Sequence, residues 1–356
     1  MCADSRAEGR TPDWPGCVLV VAQQAAKLWF PFGMLASLTR WSQFMSVENV
    51  PSLLPHSPNA TSRLPPYGGM HFVRVFPAGQ GGGNPAPVVL DADSLSADEM
   101  MAIAARYGHE SAFVCAPRDT GSTYRLRFFV PRHEMEMCGH ATLGALWLLR
   151  RLGRWTSRVA TLETLSGIVD ARFDESTQSI EVSQPKGIVQ SIGDARKHAA
   201  ICDVLRIDAD DLDALGIVNA TTSRTKTLIP IRSVQRLHAL TPSFEKMQAL
   251  CDQLESTGLY PFAVERRQPL EVHARQFPRS SGYPEDAATG IAAAATLYGA
   301  LHYGLLAHGA SGMTVHQGYA MGKPSSIRVE MRDPDNADAG CWISGAVESM
   351  MLEPQQ

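Results

Sequence analysis

Gly282-Tyr-Pro-Glu-Asp-Ala-Ala-Thr-Gly290, followed by Ile-Ala-Ala-Ala-Ala-Thr-Leu-Tyr-Gly-Ala-Leu-His-Tyr303, carries the strongest structural signal in this chain. The second part predicts a helix over 291–303 that is apolar nearly all round, as a fully buried helix must be. An earlier stretch repeats the plan. Cys138-Gly139-His140 leads into a predicted helix over 141–151. That helix ends in Arg150 and Arg151, cations that suit the negative end of a helix dipole, and Gly153 follows. Gly139 and Gly290 lie about 150 positions apart, roughly half of the chain from Met70 onward. This spacing predicts two similar halves facing one another, each wrapping strands around one helix.

A helix that begins at a glycine inside a folded core leaves free backbone N–H groups and the positive end of its dipole. Two such ends facing each other make a trap for a carboxylate or oxyanion. Ionisable side chains stand at both: Cys138 and His140 at the first, Asp286 at the second. An acid–base pair on opposite walls of such a trap suits proton abstraction beside a carboxylate. Each residue has a plainer alternative. On local grounds Asp286 reads as a helix N-cap acid. His140 divides evenly between a site role and capping its helix or binding a carbonyl. Cys138 is either a thiolate favoured by the helix N-terminus or a small buried hydrophobe. Glu110 follows a predicted helix and precedes an apolar strand. It is either an exposed acid or a partly buried carboxylate of the kind used in proton transfer. The other histidines are scattered without an HExxH spacing, which argues against a metal site. There is no GxSxG elbow for a hydrolase.

Outward from these tips the pattern is regular. Strands are predicted at 70–76, 87–90, 111–116 and 124–130, and an alternating run at 133–138 leads into the first glycine tip. Ser96 and Glu99 form a capping box before a helix that Gly108 closes. The loop 79–85 is glycine-rich but lacks the Lys-Ser/Thr of a phosphate-binding loop. The second half has a hairpin at 162–173 and strands at 180–183, 227–231, 270–277, 313–317, 326–331 and 341–348. A helix is predicted at 194–205.

The 356 residues are 44% hydrophobic and 19% charged, with a net charge of -4. That is the composition of a folded soluble protein without the basic excess that nucleic acid demands. Seven scattered cysteines without a CxxC argue for a reducing compartment, here the cytoplasm. Residues 1–69 differ from the rest. Pro, Ser and Asn cluster over 49–66, and the apolar run 17–41 is broken by Gln23, Gln24, Lys27 and Arg40, so it is not read as a membrane span. The stretch reads as a disordered or loosely attached extension, with Met70 as an alternative first residue. The expected division is 1–69 as extension, 70–185 as first half and 186–356 as second half.

At these residues the sequence resembles the PhzF family, the phenazine-biosynthesis-like isomerases. Gly83-Asn84-Pro85 matches the family's turn after its first strand, and Glu110-Ser111-Ala112-Phe113 matches its acid and aromatic strand. Cys138–Leu143 matches Cys-Gly-His-Ala-Thr-Leu without a break. Glu285, Asp286, Thr289 and Gly290 match Glu-Asp-x-x-Thr-Gly, and Gln317, Gly318, Gly322 and Pro324 match a late Gln-Gly motif. The resemblance implies an α+β fold like diaminopimelate epimerase, with two pseudo-symmetric barrel-like halves, each around a central helix. It implies a homodimer and a cofactor-independent, metal-free isomerase that moves a proton within a small carboxylated substrate. Glu110 corresponds to the acid that carries the proton. His140 and Asp286 correspond to the residues that assist it. Backbone at Gly139 and Gly290, with Cys138 and Thr289 beside it, would hold the substrate. The family often has Ser after Thr-Gly, where this chain has Ile291, and Pro after its Asp, where this chain has Ala287. Related epimerases use two thiols. Cys138 matches the first and Asp286 stands near the second, so an amino-acid or hydroxy-acid racemase is the runner-up. A non-catalytic binding protein is the third reading.

Overall fold

The computed structural model describes residues 69–306 and 310–350. The expected extension over 1–69 lies, but for Gly69, outside the described residues.

The alternating stretches pair as strands, and the signs of their pairing repeat. From Met70–Val75 the neighbours run antiparallel to Asn84–Val89, parallel to Ser111–Cys115 and antiparallel to Tyr124–Val130. They continue parallel to Val159–Thr164, then antiparallel through Gly167–Asp174 to Ser179–Gln184. Starting from Val218–Thr221, the same order of signs recurs through Thr225–Pro230, Gly258–Arg267 and Leu270–Ala274. It ends with Gly312–Gln317, Ser325–Met331 and Cys341–Ser344. The two series meet along Ser179–Gln184 and Cys341–Ser344, which pair antiparallel. After its last strand each series crosses into the other. Ile188–Ser191 pairs with Val218–Thr221, and Val347–Ser349 pairs with Met70–Val75.

Parallel neighbours need a crossover, and a helix supplies each one. Ala97–Tyr107 makes the first, with the Ser96–Glu99 capping box and a left-handed Gly108 as the sequence predicts. Val234–His238 and Phe244–Gln253 make its counterpart in the second series. The remaining two crossovers are the predicted central helices, Gly139–Arg151 and Gly290–His302. The second is buried continuously from Gly290 to Ala300. Neither could lie so close to its strands with larger side chains. A Cβ on Gly144 would stand 2.6 Å from Val73 Cγ2, and one on Gly299 would stand 2.4 Å from Leu228 Cδ1.

One hydrophobic cluster runs through both series, from Val73 and Leu143 to Leu297, Val315 and Ile343. Two smaller clusters seat the outer helices: one under Ala97–Tyr107, the other between Ala195–Leu205 and Phe244–Gln253.

The strand expected at 341–348 is two strands. Cys341–Ser344 and Val347–Ser349 pair with different neighbours, and between them Gly345 leaves room for the buried Phe76 ring, from which a Cβ would stand 2.4 Å. The strand expected at 270–277 also divides, into Leu270–Ala274 and Phe277–Pro278. Gly258–Arg267 escapes the sequence reading because Pro261 sits in its middle, and proline is rare in a central strand.

Candidate active site

The two central helices bring their N-termini into contact. An ideal Cβ on Gly139 lies 3.9 Å from Gly290 Cα, and Ile343 of the joining strand packs beneath both glycines. Beside these tips is a cavity of about 80 Å³. All seven residues singled out from the sequence line it: Glu110, Cys138, Gly139, His140, Asp286, Thr289 and Gly290. A larger cavity of about 500 Å³ adjoins it and shares Glu110, Met135, Met137 and Arg224.

Glu110 leaves the helix Ala97–Tyr107 two residues after its Gly108 cap, and its side chain is 14% exposed. It is therefore the partly buried carboxylate rather than the exposed acid. Tyr283 Oη donates to its Oε1 at 3.0 Å and the Cys138 thiol donates to its Oε2 at 3.0 Å. His140 Nδ1 stands 3.6 Å from the same Oε2 and 3.4 Å from Cys138 Sγ. His140 thus faces the acid rather than a helix carbonyl, and its buried Nε2 has no partner among the described residues.

On the facing wall Asp286 does not cap its helix. Thr289 occupies the N-cap position, and its hydroxyl donates to Asp286 Oδ2 at 2.6 Å. Asn84 Nδ2 donates to Asp286 Oδ1 at 2.7 Å. Gln317 Nε2 donates to the Asp286 carbonyl at 2.7 Å, and Gln317 Oε1 accepts from the Thr289 N–H. Glu285 turns away and forms a two-point ion pair with Arg275, at 2.9 and 2.7 Å. That pair anchors the loop carrying Asp286.

Burial decides the electrostatics. It pushes the Asp286 carboxyl above its ordinary value, and the Glu110 carboxylate pushes the same way. Burial raises the Cys138 thiol well above its usual range, again with help from Glu110. Cys138 is therefore a protonated donor, and of the two readings the sequence left open the buried one fits it and the helix-favoured thiolate does not. Tyr283 is raised by burial, then by Asp286 and Glu110, and stays a phenol. Lys226, buried in the same wall, is lowered to about 8 by loss of solvation.

Glu110, Cys138 and His140 bring three donor atoms within 4.8 Å of one another. The Cys138 thiol donates to the Glu110 carboxylate at 3.0 Å, so in this structure the three form a hydrogen-bonded cluster. Among the described residues no helix is long and apolar enough to cross a membrane.

A family profile described as "Phenazine biosynthesis-like protein" (PhzC-PhzF) matches residues 73–351. The chain belongs to the phenazine biosynthesis-like family. It is 32% identical over 287 residues to "Uncharacterized isomerase YddE" of Escherichia coli O157:H7, covering 78% of this chain and 94% of that one. "Uncharacterized isomerase YfhB" of Bacillus subtilis (strain 168) is 30% identical over 267 residues, covering 73% of this chain and 89% of its own. Among solved structures, a predicted epimerase from Pseudomonas aeruginosa superposes with a TM-score of 0.67 at 24% identity, over 80% of this chain and 97% of that one. The expected α+β fold of diaminopimelate epimerase type is the fold observed.

Sequence reading missed several site residues. Tyr283, Lys226 and Gln276 all line the cavity. Asn84 and Gln317 belonged to matched motifs, but nothing local linked them to Asp286. One signal was available for Lys226: it is the cation in an otherwise β-forming, uncharged run, Thr-Lys-Thr-Leu-Ile-Pro230.

Proposed function

We propose that this protein is an isomerase that moves a proton within a small carboxylated substrate without a cofactor, with Glu110 as the acid/base. The observation that carries the reading is the Glu110 carboxylate beside two glycine helix tips, with a second buried carboxyl, Asp286, on the facing wall. Burial and the neighbouring Glu110 carboxylate raise the Asp286 carboxyl, which suits Asp286 to hold a proton across the cavity from the base. In this reading the free N–H groups at Gly139 and Gly290 bind the substrate carboxylate and stabilise the charge that develops when a neighbouring C–H loses its proton. Glu110 accepts that proton and returns it to a different carbon of the same molecule. His140 and Cys138 hold the Glu110 Oε2 edge, and Asp286 orients the substrate, itself fixed by Thr289 and Asn84.

The proposal extends to the molecule. The repeated pairing signs support two barrel-like halves, 70–185 and 186–356, each around one central helix. A homodimer in the cytoplasm, without nucleic-acid or membrane partners, completes the reading.

Glu110→Gln keeps the shape and removes the basicity. It should reduce solvent deuterium incorporation into a turned-over substrate by about 10²–10⁴-fold while binding is retained. Exchange at the wild-type rate in that variant would remove Glu110 from the mechanism. The racemase alternative needs Cys138 as a base. The protonated thiol donating to Glu110 favours the first reading over it.

A further inference from the structure

Two polar side chains of the inner cavity are left over once the proton-transfer groups are accounted for. Lys226 is 6% exposed and lines the cavity. Its ammonium makes no ion pair or hydrogen bond with any described residue, so it is not the salt-bridge partner of Asp286 or Glu110. Gln276 is 1% exposed, and neither its amide nitrogen nor its amide oxygen has a partner among the described residues. Native structures rarely leave buried polar atoms unmet, because each one loses its water without replacement. Here the fold also makes room for the amide. Gly258 lies beside it, and a Cβ at that position would stand 2.2 Å from Gln276 Nε2. The backbone of Gln276 is fixed as well, since its carbonyl accepts the Asp286 N–H at 3.1 Å.

The chemistry of the pair defines what would satisfy it. A buried ammonium calls for an anionic oxygen. An amide with both atoms free calls for one acceptor and one donor side by side. A hydroxyl next to a carboxylate offers both. An amino group there is disfavoured, since it would bring an ammonium against Lys226. We infer that Lys226 and Gln276 form a second recognition subsite for a carboxylate with a hydroxyl on the neighbouring carbon. The substrate class is therefore a small hydroxylated dicarboxylic acid, its other carboxylate at the helix tips. This rests on the cavity being the substrate site, as proposed above.

Calorimetric titration of the full-length protein with acetate, succinate and malate tests it. Affinity should rise from acetate to succinate and again from succinate to malate, each step about tenfold or more. Lys226→Met should abolish the first step and keep the second. Gln276→Leu should abolish the second and keep the first. A wild-type protein without the two steps, or variants that leave both intact, would overturn the subsite. Should a variant not fold, wild-type protein carrying isotope-labelled lysine and glutamine answers by NMR. Saturating malate must shift the Lys226 side-chain and Gln276 amide signals, and unmoved signals overturn the inference. Titration reads binding alone. Both steps present without any deuterium exchange would fault the proposed reaction, whereas exchange without the steps would fault the subsite.

Discussion

At the residue scale, the cavity concentrates groups whose charged forms the fold penalises. Lys226 shows this best. Its proton affinity drops from the ordinary 10.5 to about 8 on burial. A lysine lowered in the folded state costs stability wherever both states are charged, that is below about pH 8. The cost fades as the pH rises toward the unfolded value and is absent above it. Lys226→Met should therefore stabilise the ligand-free protein at pH 7 by on the order of 3 kcal/mol, with the gain shrinking between pH 8 and 10.5. Denaturant titration at several pH values measures it. Asp286 works the other way along the pH axis. A carboxyl raised in the folded state costs stability when ionised and costs nothing when both states are protonated. Asp286→Asn should then stabilise the free protein at neutral pH and lose that advantage in acid, even as it impairs turnover. Cys138, held as a thiol, should react with iodoacetamide at pH 7 much more slowly than an unhindered cysteine, read by mass spectrometry of its peptide. Rapid alkylation there would revive the racemase reading. Of these residues, the sequence singled out Asp286 and Cys138 as ionisable groups at helix starts. It could not supply their protonation states, which depend on burial and on Glu110, a residue 28 positions away from Cys138.

At the element scale, the two central helices work as rods whose glycine faces set how near the strands approach. Gly144 tests this without touching the cavity. Val73, against which a Cβ at Gly144 would press, is itself fully buried and has no room to move. Gly144→Ala should cost about 1–3 kcal/mol by overpacking, while Gly193→Ala, where nothing lies within 4 Å, should change stability little. Urea unfolding of the two variants gives the comparison. Both central helices were legible because burial all round leaves an unbroken apolar pattern. Val234–His238 and Phe244–Gln253 were not, since one is a single short turn and the other carries a polar face of ordinary amphipathic kind.

At the scale of the whole molecule, the exchange of terminal strands ties each series to the other. Val347–Ser349 closes onto Met70–Val75, Ile188–Ser191 onto Val218–Thr221, and one hydrophobic cluster passes through both. Two independently melting halves are incompatible with that arrangement. Native-state hydrogen exchange should therefore give the slowest amides of Gly139–Arg151 and Gly290–His302 the same opening free energy, within about 0.5 kcal/mol. Clearly separate values would mean that the halves open on their own.

The sequence by itself determined the periodic elements, the two glycine-led buried helices, their half-length repeat and the motif set that marks the family. These are local or additive properties, written in the order of apolar and polar residues. Tertiary structure alone decided that the two tips touch and that Tyr283 and Cys138 both hold Glu110. It also decided that Asp286 faces the cavity instead of capping its helix, and that the Lys226 ammonium and the Gln276 amide meet no partner there among the described residues. Those facts depend on which distant segments share a dry enclosure, and a charge in such an enclosure takes its chemistry from its neighbours in space.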